Sequence, residues 1–118
     1  MSGILPFTSK KSKLSVGYRY IKGIKDTPII KQKQLIRGHE FHYWEIENNF
    51  PELNLRKAKH QKILSSPWKI KSWNTKYKNE GFVDEKLHAS WIHLHLPSSP
   101  EVAKNFIDAT QISFSKDY

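Results

Sequence analysis

The chain has 118 residues, with 20 Lys and Arg against 11 Asp and Glu, a formal net charge of +9, and no cysteine. That length holds one small domain. The missing thiol excludes a disulfide scaffold, a thiolate-ligated zinc or iron–sulfur centre and a cysteine nucleophile within these residues. Aromatic residues make up 13% of the chain, with four Trp, which argues for a packed core over disorder. No apolar run approaches the roughly 18 residues of a membrane-spanning helix. A short apolar opening stands ahead of the lysines, the reverse of a signal peptide, so the chain is expected to be cytoplasmic.

In chain order, residues 3–6 (Gly-Ile-Leu-Pro) read as a short buried strand stopped by proline, and Thr8 to Lys13 as an exposed loop. Leu14, Val16, Tyr18 and Tyr20 fall on one face at period two and predict a strand, broken at Asp26-Thr27-Pro28. Residues 34–46 carry aromatic and β-branched residues around Gly38, which marks a bulge or a close backbone approach. Residues 53–64 predict at most a weak helical turn. Trp68, Ile70 and the Trp73 ring predict another strand, residues 76–81 a hairpin or turn, and residues 80–83 a renewed strand. Residues 87–96 are the strongest strand signal, with Ile92, Leu94 and Leu96 on one face and Trp91, His93 and His95 on the other. Ser99 as N-cap and Pro100 at the first turn open a helix, with Val102, Ala103, Phe106, Ile107 and Ala109 as its apolar stripe and fraying expected after Ser113. The expected fold class is α/β: a strand-rich partial sheet closed by a C-terminal helix, the second half of a layer, with residues 1–118 forming one incomplete domain.

Two kinds of residue carry candidate chemistry. From Arg56 to Lys78 the chain has eight basic residues and no acid, interleaved with Trp68, Trp73 and Tyr77. Such a stretch suits single-stranded nucleic acid. Lysine supplies 17 of the 20 basic residues, however, and base and phosphate recognition leans on arginine forks. A solvated face, or one that guides an anionic substrate, is the competing account. The histidines form two tight groups, His39-Glu40-Phe41-His42 and His93-Leu94-His95. Zinc would need His39 or His42 brought against the His93 and His95 pair. A general acid–base role for one strand-end histidine is more economical, and paired histidines satisfied within a half-buried sheet are the simplest reading. Ser90 stands at an odd spacing from His93 and points to the opposite face.

The strings Arg37-Gly38-His39-Glu40-Phe41-His42-Tyr43, Glu80-Gly81-Phe82-Val83, Ala89-Ser90-Trp91-Ile92-His93-Leu94-His95-Leu96 and Ser99-Pro100 resemble, in order and spacing, the C-terminal end of cobyrinic acid a,c-diamide synthase. The resemblance covers roughly residues 3 to 110. It implies part of a class I glutamine amidotransferase domain, joined in the family to a synthetase domain that uses ATP and magnesium to activate the a and c carboxylates of a corrinoid. Glutamine is then the ammonia source, and an upstream cysteine attacks its amide. His93 matches the catalytic histidine, while His39, Glu40, His42 and His95 are site-shaping candidates. No cofactor-binding or metal-binding residue is assigned in this chain.

Trp44 and Trp91 stand where the family carries serine and tyrosine. The cysteine half and the synthetase domain are absent from these residues. The chain is therefore expected to be inactive alone and to need that missing portion as partner, or to self-associate through uncovered sheet. A small nucleic-acid-binding module and a non-functional relict are the alternatives.

Overall fold

The computed structural model describes residue 5 and residues 7–47, 65–84 and 86–116. Among the described residues it shows a mixed α/β fold in which seven strands precede one long helix: β1 (Ser9–Gly23), β2 (Leu35–Ile46), β3 (Trp68–Lys71), β4 (Lys78–Glu80), β5 (Phe82–Val83), β6 (His88–Ala89), β7 (Ile92–Leu94) and α1 (Pro100–Lys116). A 3-10 turn at Leu96–Ser98 leads into α1. Five strands form one sheet in the order β4-β3-β1-β2-β7, and β5 pairs with β6 beside it. Every ladder is antiparallel.

The register decides what each face carries, because paired residues in adjacent strands share a face. Ile21 pairs with Ile36 and Ile70, and Glu40 with Ile92. This inner face holds the core: Ile21, Ile36, Trp68, Ile70 and Ile92, closed by Ile30 and by Val102 of α1. Burial of each such aliphatic side chain contributes about 1.5–3 kcal/mol. Ile30 reaches the core from the β1–β2 connection. There the Thr27 hydroxyl accepts hydrogen bonds from the Ile29 and Ile30 amides, and the Thr27 amide donates to the Ile30 carbonyl at 2.8 Å.

Gly38 is a close approach, not a bulge. A Cβ there would run into the Ile92 side chain and stand 2.9 Å from Ile21 Cδ1. The register shift falls instead between Lys11 and Ser15. Gly81, between β4 and β5, has φ +77°, a conformation that glycine adopts without penalty.

Several sequence expectations need correction. Residues 9–13, expected as loop, belong to β1, whose N-terminal part pairs with the far end of β2 from Ser9↔Ile46 to Lys11↔Trp44. The alternation at residues 14–20 is a strand, but its apolar members face outward: Val16 is 49% and Tyr18 83% exposed. The small and polar members, Ser15, Gly17 and Arg19, share the inner face with Ile21. Trp73 lies in a turn and is 86% exposed. The chain reverses at residues 72–75, where the Ser72 amide donates to Thr75 Oγ1 at 2.8 Å, and of the hairpin or turn expected at residues 76–81, residues 78–80 form β4, paired with β3.

The single strand expected over residues 87–96 is two short ones separated by Ser90 and Trp91, for the reason given below. The α1 stripe does not pack as a whole. Val102 is buried, while Phe106 and Ile107 are each 55% exposed, and α1 continues to Lys116 past the expected fraying point. Of the expected first strand only Leu5 is described, and it lies in a bend. Residues 53–64 lie outside the described residues.

Candidate functional site

Glu80, at the end of β4, makes the break between β6 and β7. Its carboxylate accepts from the Trp68 indole N–H at 2.6 Å, from the Ser90 hydroxyl at 2.7 Å and from the Trp91 amide at 3.0 Å. Ser90 Oγ in turn accepts from the Ile92 amide at 2.8 Å. These bonds replace ladder pairing at residues 90 and 91 and hand the chain from the small sheet to the large one. There β7 pairs with β2 through Gly38↔Leu94, His39↔His93 and Glu40↔Ile92. Ser90 is thus a structural hydroxyl and faces away from His93.

The outer face of β1, β2 and β7 carries two rows of side chains. Tyr18, His39 and His93 occupy consecutive paired positions. The Tyr18 and His39 rings meet edge to face at 5.6 Å between centroids, and those of His39 and His93 at 6.4 Å. In the next row Arg37 and Lys71 flank Tyr20 on either side. An open groove of about 480 Å3 runs over both rows, lined by Tyr18, Tyr20, Arg37, His39, His93 and His95 and reaching Ser98. Ser98 Oγ donates to the His95 carbonyl at 2.8 Å, so this hydroxyl is committed to the backbone. The groove offers imidazoles, a guanidinium and aromatic walls: proton-transfer and anion-binding groups without a nucleophile of its own.

The sequence-predicted residues therefore divide. The structure brings His39, His93 and His95 to one groove and sends Glu40 and His42 to the opposite side of the sheet, because successive residues of a strand point to opposite faces. Glu40 is buried beside Arg19, whose Nε donates to Glu40 Oε2 at 2.6 Å, while His42 Nε2 stands 2.6 Å from Oε1. Burial pushes the Glu40 carboxyl up, but the hydrogen bonds from His42 and Arg19 and their charges outweigh it and hold the carboxyl below its ordinary value. It is a carboxylate and can only accept. The Trp44 carbonyl lies 2.6 Å from His42 Nδ1, so each ring nitrogen has a hydrogen-bond partner. Trp91 stacks on that ring at 4.6 Å and 17°, a contact that gives the tryptophan standing in place of tyrosine a physical role. This Arg19–Glu40–His42 cluster stiffens β1 against β2 beneath the groove.

His88 is a half-buried histidine with buried ring nitrogens that the sequence reading did not single out. Both its ring nitrogens lack a partner, its ring packs on Trp68 at 4.5 Å, and burial pushes its pKa down to about 4. Arg19, Glu80 and Arg37 were also missed as functional residues. Arg19 had a signal in the strand alternation, and Arg37 and Glu80 each open one of the strings that carry the family resemblance.

Among the described residues no group of three or more histidine or carboxylate side chains could hold a metal ion, and no helix is long and apolar enough to cross a membrane. The basic stretch keeps only part of its stacking character. Trp68 is 1% exposed and belongs to the core, while Lys71 Nζ lies 4.9 Å from the Tyr77 ring centroid. Its first half lies outside the described residues.

No protein-family model and no solved structure matches the chain. Curated proteins do. The chain is 31% identical over 108 residues to cobyrinate a,c-diamide synthase of Thermoplasma acidophilum, covering 91% of this chain and 21% of the relative. It is 30% identical over 114 residues to hydrogenobyrinate a,c-diamide synthase of Streptomyces coelicolor, covering 96% and 21%. To cobyrinate a,c-diamide synthase of Synechococcus it is 27% identical over 113 residues, covering 94% and 22%. The match is to one kind of enzyme, at low identity, along nearly all of this chain. The chain spans about a fifth of the length of the curated relatives it matches.

Proposed function

We propose that these residues supply the histidine side of the glutaminase site of a corrinoid a,c-diamide synthase. The carrying observation is His93, which stands exposed on β7 in an open groove, within the string that resembles the family's catalytic strand. The sheet is read as part of a class I glutamine amidotransferase domain. The uncovered outer face, with Val16, Tyr18 and Phe41 about half exposed or more, is read as the surface against which the remaining portion packs.

In this reading a cysteine outside these 118 residues gives its thiol proton to His93. The thiolate attacks the side-chain amide carbon of glutamine, and the proton leaves with ammonia as the carbon–nitrogen bond breaks. Water then hydrolyses the thioester to glutamate. His93 is the proton carrier in both directions. Carboxylate activation with ATP and magnesium belongs to a synthetase portion that this chain does not contain.

The test is complementation. The chain alone should release no ammonia from glutamine, and addition of a polypeptide carrying the remaining sequence of a synthase relative should restore release. His93→Ala should then lower the restored rate by roughly 10²-fold or more. Full activity of that variant in the restored complex would remove His93 from the role.

A further inference from the structure

We propose that the outer-face groove is a carboxylate-binding site organised by Arg37, taking a small organic acid whose hydrocarbon body lies against Tyr18 and Tyr20. This inference rests on the groove itself and not on the amide-hydrolysis reading. Two independent observations converge on it. First, the groove lining contains Arg37, three imidazoles and no acidic side chain; Arg19 also borders it, but its Nε is bound to Glu40 on the inner face. Second, two cations crowd one ring. Arg37 Cζ lies 5.8 Å and Lys71 Nζ 5.9 Å from the Tyr20 ring centroid, and no described carboxylate forms an ion pair with either. Lys71 stands outside the groove lining, whereas the cation–π contact holds the Arg37 guanidinium beside Tyr20 within it.

The chemistry favours a carboxylate over a phosphate. Of the two arginines in the lining, Arg19 is held by Glu40, and the planar fork of Arg37 matches a carboxylate with two parallel hydrogen bonds. Phosphate sites gather free backbone N–H groups, commonly at a helix start. Here the amides leading into α1 are spent: Ser98 N donates to the His95 carbonyl and Ser99 N to the Leu96 carbonyl, both at 3.0 Å. Arg37 lies two positions along β2 from His39, about 7 Å, and His39 sits opposite His93. An acid held by Arg37 therefore extends its other end toward the imidazole pair, and a volume of about 480 Å3 accommodates a small organic molecule.

The test is an amide-resolved NMR titration of the full chain with glutarate, at ionic strength held constant with chloride. Saturable shifts confined to Tyr20, Arg37, His39, His93 and Ser98 are expected. Arg37→Gln should weaken binding by about 10-fold or more, the usual size of a lost hydrogen bond to a charged group, and Arg37→Lys should lie between. Arg37 is exposed, so both variants should keep the wild-type spectrum outside the groove. Three outcomes overturn the proposal: non-saturating shifts spread over the lysines, unchanged affinity in Arg37→Gln, or inorganic phosphate binding the same residues as tightly as glutarate.

Discussion

Replacing Glu80 by alanine tests the argument that one carboxylate shapes the chain between the two sheets. Three donors converge on it, from Trp68, Ser90 and Trp91. The Trp68 indole is 1% exposed, so its N–H cannot turn to water when the acceptor is removed. A buried donor left unpaired costs about 1–3 kcal/mol, and hydrogen bonds to a charged group contribute about 1.5–3 kcal/mol each. Bonds that share one carboxylate do not add independently, so the expected loss is about 3–5 kcal/mol. That is a large share of the roughly 5–15 kcal/mol that holds a typical domain together. Glu80→Gln keeps one accepting oxygen and should lose about 1–3 kcal/mol. Urea unfolding followed by tryptophan fluorescence measures both. Hydrogen exchange should show faster exchange at the Trp91 and Ile92 amides in the alanine variant. An alanine variant within about 0.5 kcal/mol of wild type, the range of ordinary surface substitutions, would refute the reasoning.

Other expectations follow from the same geometry. The Glu40 carboxyl is held below its ordinary 4.5, so its contribution is present above that pH and lost as pH falls through the folded value. Glu40→Gln should therefore destabilise the chain at neutral pH by about 1–3 kcal/mol, with the difference shrinking on acidification in urea titrations. The His88 pKa is pushed from 6.5 to about 4, so between those values the unfolded chain holds the extra proton and stability falls as pH drops; His88→Leu should flatten that part of the stability–pH profile. Gly38→Ala should cost about 1–3 kcal/mol, because its Cβ meets Ile92 and Ile21; a variant as stable as wild type in thermal unfolding would show that β7 does not press on β2.

The periodic signals carried the local structure well. Alternation at residues 14–20 and the aromatic and β-branched content of residues 34–46 predicted strands, Gly38 marked a bulge or a close approach, of which the second holds, and Ser99-Pro100 placed the start of α1, because backbone geometry and steric size act between neighbours in sequence. The family strings identified His93 as the residue to examine, and the histidine spacing placed His95 on its face. The direction in which an alternating face points is set by what lies across the sheet. Val16 and Tyr18 look outward because Ile21, Ile36, Ile70 and Val102 fill the other side. The break at residues 90–91 depends on Glu80, ten residues upstream and on a different strand, so no local pattern could announce it. The string from Arg37 to Tyr43 reads as one motif, yet strand alternation splits it, setting His39 against His93 and Glu40 against Arg19 and His42. The convergence of Arg37 and Lys71 on Tyr20 arises from pairing among three strands that are distant in the chain. Residue type and spacing dictated which side chains could do chemistry, while long-range register decided which of them meet.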